Sequence, residues 1–220
     1  MTIIAVDGPS GSGKSSVSRE VSRRLGLAYL DTGAMYRAVS WICLERQADG
    51  ADAVAELART ADLRISTDPD HEQVVIDGHD VTTEIRETRI SESVTIVSTN
   101  LAAREALIAR QRALIEAAAE TGIVAEGRDI TTVVAPDADV RLLLTAREEA
   151  RLARRAKELH GEADEHNIAS TRAQIIDRDA ADSAVTQFIT ASDGVHTLDS
   201  SALSFEETVQ AVLDLVADAG

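Results

Sequence analysis

The sequence predicts an α/β fold, in which a mostly parallel β-sheet carries helices on both faces. Short apolar runs alternate with segments of helical spacing, and strands that alternate with helices build parallel sheets. The runs occupy residues 3–6, 28–30, 123–125, 140–145 and 195–199. A glycine-rich loop joins the first run to a helical segment, and this strand, loop and helix order is typical of the fold class.

That loop, at residues 8–15, has the sequence GPSGSGKS and matches the phosphate-binding pattern of a glycine, four residues and then Gly-Lys-Ser. Its glycines allow consecutive backbone N–H groups to point at a phosphate, and the start of the next helix adds its positive dipole end. We expect Lys14 to contact the terminal phosphates and the Ser15 hydroxyl to ligate Mg2+. The alternative is an ordinary Gly-Ser turn, which the flanking strand and helix disfavour.

Two segments interrupt the alternation of strands and helices. Residues 62–81 carry Asp-Pro and Asp-Gly turn signals around the alternating Val74 and Ile76, which predicts a small antiparallel insert. The polar residues 161–167 predict a loop between two helical segments. Because no internal repeat or low-complexity linker separates these parts, we expect one unit that carries the insert.

A helix is predicted at residues 101–120, with two polar residues on its apolar stripe. Arg104 and Gln111 share that stripe with Ile108 and Ile115. A charged residue among core positions either extends its charge to solvent or meets a partner ligand. The spacing alone leaves both alternatives open.

A second helix, predicted within residues 145–162, has arginines on one side. They are Arg147, Arg151, Arg154 and Arg155. These side chains form either a solvated face, partly paired with Glu148 and Glu149, or a clamp that closes over a phosphate-bearing ligand. The phosphate-binding loop favours the clamp.

Charged residues also follow the predicted strand at 123–125. Glu126, Gly127, Arg128 and Asp129 come directly after it. In open parallel sheets, ligands bind beyond the carboxyl ends of the strands. We therefore expect these residues at the same edge of the sheet as the phosphate-binding loop.

Composition limits the partners of the chain. Its 220 residues include 22 basic and 38 acidic side chains, which give a formal charge of −16. Nucleic-acid backbones and anionic membranes require a broad basic surface, so neither is expected as a partner. The single cysteine, Cys43, excludes an internal disulfide, and the apolar start ends at Asp7, too early for a signal peptide or membrane span. We expect a cytoplasmic protein, and the acidic surface favours a monomer.

Several stretches of the chain resemble the bacterial cytidylate kinases, which are small nucleoside monophosphate kinases. They are GPSGSGKSS, LDTGAMYR, GHDVTTEIR, AREALIARQR and AEGRDITTVVAPDADVRLLLTA. They occur in the family's order and extend the resemblance to about Asp182. The occurrence of DTGAMYR soon after the loop and GRD before VVAPDA is highly specific to this family. The resemblance implies transfer of the γ-phosphoryl group of ATP to CMP or dCMP, with Mg2+.

The resemblance also implies a more detailed architecture. It predicts a P-loop NTPase-type core with a five-stranded parallel sheet flanked by helices, a small antiparallel monophosphate-binding insert and a helical lid. The expected core comprises residues 1–60, 88–146 and 183–220, the insert residues 61–87, and the lid region residues 147–182. Together they form a single nucleoside monophosphate kinase unit over residues 1–220.

Matching positions imply which residues bind each nucleotide. The ATP-binding set is Gly8, Pro9, Ser10, Gly11, Ser12, Gly13, Lys14, Ser15 and Ser16. The CMP-binding set is Thr32, Arg37, Thr95, Arg104, Arg128, Asp129, Arg178 and Asp182. The family often has serine at the two threonine positions, and threonine retains the hydroxyl that can form a hydrogen bond.

The resemblance assigns roles within these sets. Arg37 and Arg128 hold the acceptor phosphate, and Thr95, Arg104 and Asp129 face the cytosine. Arg178 and Asp182 lie near the acceptor sugar and phosphate. The implied catalytic residues are Lys14, Arg128 and the lid arginines Arg151 and Arg154.

The chain departs from the family's pattern after Asp182. Many relatives have an arginine followed by Pro-Leu where this chain has AVTQFITA, so the contact expected near Val185 is in doubt. Either Arg37, Arg128 and Arg178 already satisfy the phosphate, or another arginine, such as Arg172, replaces the missing cation. Redundancy is the favoured alternative, because three arginines can supply six donors to the three terminal phosphate oxygens.

Proteins of other functions also use a phosphate-binding loop of this kind. A GTPase or motor ATPase needs an Asn-Lys-x-Asp base reader or a clear switch aspartate at a strand end, and neither is evident. A nucleotide-sensing module without turnover has no need of so many clamp arginines. Within the kinases, a uridylate-preferring or shikimate-type enzyme is the nearest alternative.

Overall fold

The computed structural model describes residues 2–161, 172, 179–180, 183, 186 and 188–219. These residues form an α/β fold, as the alternation of apolar runs predicts. The strands are β1 (Ile3–Asp7), β2 (Ala28–Asp31), β3 (Leu63–Ile65), β4 (Val74–Ile76), β5 (His79–Asp80), β6 (Ile123–Gly127), β7 (Val140–Thr145) and β8 (His196–Asp199). The five predicted core strands are confirmed, with bounds that differ by one or two residues.

The α-helices connect these strands and cover the main sheet. They are α1 (Lys14–Leu25), α2 (Thr32–Glu45), α3 (Ala51–Thr60), α4 (Thr88–Ser93), α5 (Thr95–Ser98), α6 (Leu101–Ala117), α7 (Glu148–His160) and α8 (Phe205–Ala219). A 3-10 turn lies at Glu84–Arg86, and a π-helical turn lies at Ile130–Val134. Both arginine-bearing helices that the sequence predicts are present, as α6 and α7.

The main sheet has five parallel strands in the order β2-β6-β1-β7-β8. Side chains of successive strand residues point to opposite faces, so each strand contributes to two apolar layers. On β1, Ala5 packs with α2 and α6, whereas Ile4 and Val6 pack with Val17 of α1 and Val209 of α8. The sheet is therefore buried on both faces over its other four strands, as parallel sheets are, whereas the edge strand β8 is largely exposed.

The predicted insert is a three-stranded antiparallel sheet in the order β3-β4-β5. Val74 and Ile76 are buried and belong to the same apolar cluster as Ala38 and Ile42 of α2. Val74 and Ile76, which alternate along the sequence, therefore form the face of β4 that packs against α2. Position 75 between them is only partly buried.

Strand register brings polar residues together at one edge of the main sheet. Asp7 ends β1 beside Gly127 of β6, and Asp31 ends β2 beside Glu126. The phosphate-binding loop begins immediately after Asp7, so it lies at this same edge. Among the residues that the structure describes, no helix has the length and apolar character needed to cross a membrane.

Candidate active site

A cavity of about 690 Å³ opens at this edge, a size that suits a small-molecule ligand. Of the described residues that line it, eight are basic and three are acidic. The basic ones are Lys14, Arg19, Arg23, Arg37, Arg86, Arg104, Arg128 and Arg155, and the acidic ones are Asp31, Glu126 and Asp129. The chain as a whole carries −16, so this concentration of cations is local to the cavity. It suits a ligand rich in negative charge.

The phosphate-binding loop forms one wall of the cavity. Gly11 and Gly13 have φ angles of 76° and 90°, in the left-handed region that favours glycine. Gly13 is the N-cap of α1, and no side chain caps the helix there. The first N–H groups of any helix have no partner within it, so a phosphate placed at this N-terminus meets donors and the positive end of the dipole.

Two buried carboxylates lie beside Lys14 at the ends of β2 and β6. The Lys14 Nζ is 3.8 Å from Glu126 Oε2, and Glu126 also accepts a hydrogen bond of 3.1 Å from the Tyr29 hydroxyl. Burial, followed by the charge of Asp31, raises the pKa of Glu126. Burial would also raise the pKa of Asp31, but the Arg37 guanidinium and the Ala34 N–H outweigh it and lower that pKa. The two acids thus differ because Asp31 binds the Arg37 guanidinium and the Ala34 N–H directly, whereas the charge of Asp31 acts against an ionised Glu126.

The proposed acceptor end contains Thr32, Arg37 and Arg128. Arg37 donates to Asp31 Oδ2 at 2.9 Å, which holds its guanidinium at the cavity wall. The Thr32 hydroxyl donates to the Glu126 carbonyl at 2.7 Å, so its proton is already used. Arg128 is 13% exposed and stacks over the Phe188 ring at 4.6 Å. All three line the cavity.

Arg104 and Asp129 meet at the end of the cavity that α5 and α6 form. The Arg104 Nη2 lies 2.5 Å from Asp129 Oδ2, with side-chain exposures of 11% and 6%. A second bond of 3.3 Å runs from Arg104 to the Ser98 carbonyl. The charge of Arg104 is therefore not extended to solvent but is held by Asp129 inside the fold, and its contact with a ligand stays a prediction.

Thr95 is placed differently from the other predicted base contacts. Of the described residues in this segment, Ser91, Val94 and Ser98 line the cavity and Thr95 does not. Thr95 begins the single turn of α5 and is partly buried, and its carbonyl accepts from Thr99. In the conformation described, Ser91 and Ser98 are thus the hydroxyl-bearing residues of this segment that line the cavity.

The four arginines near α7 do not share one environment. Arg147 precedes the helix and is exposed, whereas Arg155 lines the cavity. Arg151 donates to the Ser10 carbonyl at 3.0 Å, and Arg154 to the Ser12 carbonyl at 3.1 Å. Arg154 also binds Ser200 through its hydroxyl and its carbonyl oxygen, at 2.9 and 2.7 Å. Arg151 and Arg154 therefore hold the phosphate-binding loop and are not part of a solvated face.

Three positions from the end of the predicted site lie outside the described residues. They are Arg178, Asp182 and Val185. Arg172 is described: it is 61% exposed and pairs with Glu148 at 2.8 Å. That contact places Arg172 against the start of α7, and it is not among the described residues that line the cavity.

The sequence reasoning missed three charged residues that connect the insert with α1. Glu72 accepts from Arg19 at 2.9 Å and also from Arg86, and both arginines line the cavity. Arg86 belongs to the stretch GHDVTTEIR, which marked the family resemblance but was given no role. Arg19 also stacks over Tyr29 at 5.1 Å.

Comparison with known proteins agrees with this geometry. A family model described as cytidylate kinase matches residues 4–218. The chain is 47% identical to a cytidylate kinase of Cutibacterium acnes over 97% of this chain and 95% of that protein. It is 46% identical to one of Rhodococcus opacus over 98% and 95%.

Among solved structures, an uncharacterized protein from Eubacterium ventriosum aligns over 99% of both chains with a TM-score of 0.51. The two sequences are only 10% identical, so this likeness shows the fold alone. The family follows from the sequence matches, which cover nearly the whole chain. The chain belongs to the cytidylate kinase family.

Proposed function

We propose that this protein transfers the γ-phosphoryl group of ATP to CMP or dCMP, and that the cavity described above is where it does so. The observation that carries this proposal is the charge of the cavity: eight basic side chains and a phosphate-binding loop meet at one edge of an otherwise acidic protein. The family supplies the reaction, and the cavity supplies binding groups for both of its anionic substrates.

The phosphates of ATP would bind to the loop from Gly8 to Ser16. Backbone N–H groups and the N-terminus of α1 would hold them, and Lys14 would follow the γ-phosphoryl group into the transition state. Phosphoryl transfer passes through a loose transition state, so catalysis depends on position and on cations near the moving charge. Arg151 and Arg154 contact the loop itself and would add positive charge on the lid side.

The acceptor phosphate would bind between Arg37 and Arg128. It needs no general base, because the attacking oxygen of CMP is already anionic. The cost of bringing two anions together is electrostatic, and the guanidinium groups reduce it. Arg86 and Arg155, which also line the cavity, would add to the same field.

The pair of Arg104 and Asp129 would select the base. Cytosine presents an amine donor and an unprotonated ring nitrogen, whereas uracil presents a carbonyl and an N–H at the same edge. A carboxylate acceptor beside a guanidinium donor matches cytosine and leaves uracil with like groups facing each other. The Arg104 guanidinium and the Asp129 carboxylate lie 2.5 Å apart, so both groups can face the same edge of a base.

The residues near Ser15 fit a Mg2+ ion, which prefers oxygen ligands. Ser15 lines the cavity together with the carboxylates of Asp31 and Glu126. We propose Ser15 as the protein ligand, with Asp31 and Glu126 close enough to bind waters of the ion. Such an ion would neutralise charge on the phosphates of ATP.

We also propose that the protein acts in the cytoplasm as a monomer and has neither nucleic acid nor membrane as a partner. The net charge of −16 supports this, because it repels polyanions, anionic lipid surfaces and other copies of the chain.

Replacement of the loop lysine tests the proposed function. Lys14→Ala should lower kcat by about 100-fold or more, the loss expected when one preorganised electrostatic contact to the transition state is removed. Lys157→Ala is the matched control, because Lys157 is the other lysine of the chain and is exposed on α7. ATP and CMP turnover would be measured by a coupled assay on both variants. Turnover near the wild-type value in folded Lys14→Ala would refute the proposed role of the loop.

A further inference from the structure

Asp179 connects three parts of the proposed active site and has no role in the site described so far. Its carboxylate accepts from the Arg151 guanidinium at 2.6 Å and lies 2.9 Å from Arg128 Nη2. It also accepts from the backbone N–H of Ser10 in the phosphate-binding loop at 3.2 Å. The side chain is only 10% exposed, so these contacts are shielded from solvent.

The contacts join the ATP side of the site to the acceptor side. Arg151 comes from α7, and Ser10 belongs to the loop that would hold the phosphates of ATP. Arg128 follows β6 and would hold the phosphate of CMP. Both guanidinium groups bind the same carboxylate, one at each oxygen, so this one side chain bridges the two arginines.

The charges favour a positioning effect over simple neutralisation. Two arginines and one aspartate leave a net positive charge, which remains available to an anionic substrate. Without the carboxylate, the two guanidinium groups would repel each other across a short distance. Each arginine would also regain rotamer freedom, because both side chains are long and flexible.

Other contacts limit the movement of each arginine but do not replace Asp179. Arg151 also donates to the Ser10 carbonyl, and Arg128 stacks over Phe188. Neither contact links one arginine to the other. Among the described residues, Asp179 provides a carboxylate that contacts both arginines.

We infer that Asp179 is a positioning residue for phosphoryl transfer: it holds Arg128 and Arg151 at a fixed spacing across the donor and acceptor phosphates. The inference rests on the roles proposed above for these two arginines. Asp179 need not touch either nucleotide, because it acts through the guanidinium groups. The competing explanation is that the Asp179 carboxylate inhibits the enzyme, because the substrate phosphates must displace it from the two arginines. Removal of its charge would then raise kcat.

The test compares Asp179→Asn with the wild-type protein in the same coupled assay, at a temperature well below the unfolding midpoint of each. Asparagine keeps the size of the side chain but removes the charge and presents an amide NH2, which is a donor, to one of the arginines. We expect kcat to fall by about 10- to 100-fold, as misplaced catalytic groups do. Asp179→Glu restores the charge and should recover part of the loss. Asp218→Asn, an exposed aspartate on α8, is the matched control and should retain wild-type kcat.

A double variant separates positioning from a purely structural role. If Asp179 acts through Arg151, then Asp179→Asn combined with Arg151→Ala should lose little more than the worse single variant. Losses that multiply, an unchanged kcat in Asp179→Asn, or a higher kcat would each overturn the inference. Wild-type protein that fails to phosphorylate CMP would refute the proposed function instead, so the two failures are distinguishable.

Discussion

The buried pair of Arg104 and Asp129 gives a sharp prediction about base selection. Asp129→Asn keeps the shape of the side chain, removes its charge and replaces one acceptor oxygen with a donor. In the wild-type protein both oxygens can accept, one from Arg104 and one from the amine of cytosine. The variant should therefore lose activity with CMP while keeping, or gaining, activity with UMP, whose carbonyl can accept from the new amide.

The magnitude follows from the burial of the pair. Asp129 is 6% exposed and Arg104 is 11% exposed, so solvent cannot replace the missing partner easily. A hydrogen bond to a charged group contributes about 1.5–3 kcal/mol. If that interaction is lost in the transition state, kcat/KM for CMP should fall by roughly 10- to 150-fold. The ratio of kcat/KM for CMP to that for UMP should fall by about tenfold or more.

The assay is steady-state turnover of CMP and UMP with saturating ATP and Mg2+. Removing the carboxylate leaves Arg104 buried beside a neutral group, which costs stability, so each variant must be measured well below its unfolding midpoint. Asp137→Asn alters an exposed aspartate and serves as the control. Equal losses of kcat/KM with CMP and UMP would refute the idea that Asp129 reads the base.

Two further predictions concern the residues around this pair. A Cβ added at Gly127 would lie 2.5 Å from the Thr32 hydroxyl and 2.8 Å from Ile130, so Gly127→Ala should lower stability by about 1–3 kcal/mol and raise KM for CMP; an unchanged unfolding midpoint and KM would contradict the close packing. Burial raises the pKa of Asp7 from 3.8 to about 6, so the folded state binds an extra proton and the free energy of unfolding falls as pH rises through about 6. Denaturant unfolding should show the wild-type protein losing about 1 kcal/mol relative to Asp7→Asn between pH 5 and 7, and parallel curves for the two proteins would contradict the raised pKa.

Sequence reasoning located β1, β2, β6 and β7 because each contains a contiguous apolar run. It located the phosphate-binding loop for the same reason: all of its residues are neighbours in the chain. The order of the strands could not be predicted in this way, because it depends on pairing between distant segments. Strand β6 lies between β1 and β2 although about 90 residues separate it from β2. Apart from the family resemblance, no local pattern specifies which strands pair.

The partners of the arginines show the same limit. Helical spacing placed Arg104 on an apolar stripe but could not show that Asp129, 25 residues later, meets it. Asp179 lies 28 residues from Arg151 and 169 from Ser10, and no local pattern connects these residues. The choice between Thr95 and Ser98 depends on one turn of a short helix, which periodicity cannot orient.

A crystal structure of the protein with CMP, Mg2+ and a non-hydrolysable ATP analogue tests the central claim most directly. We predict the analogue's phosphates on the loop with the metal at Ser15, and the CMP phosphate within hydrogen-bond distance of Arg37 and Arg128. We predict the cytosine edge against Arg104 and Asp129. A base bound elsewhere in the cavity, or phosphates away from the loop, would contradict the account.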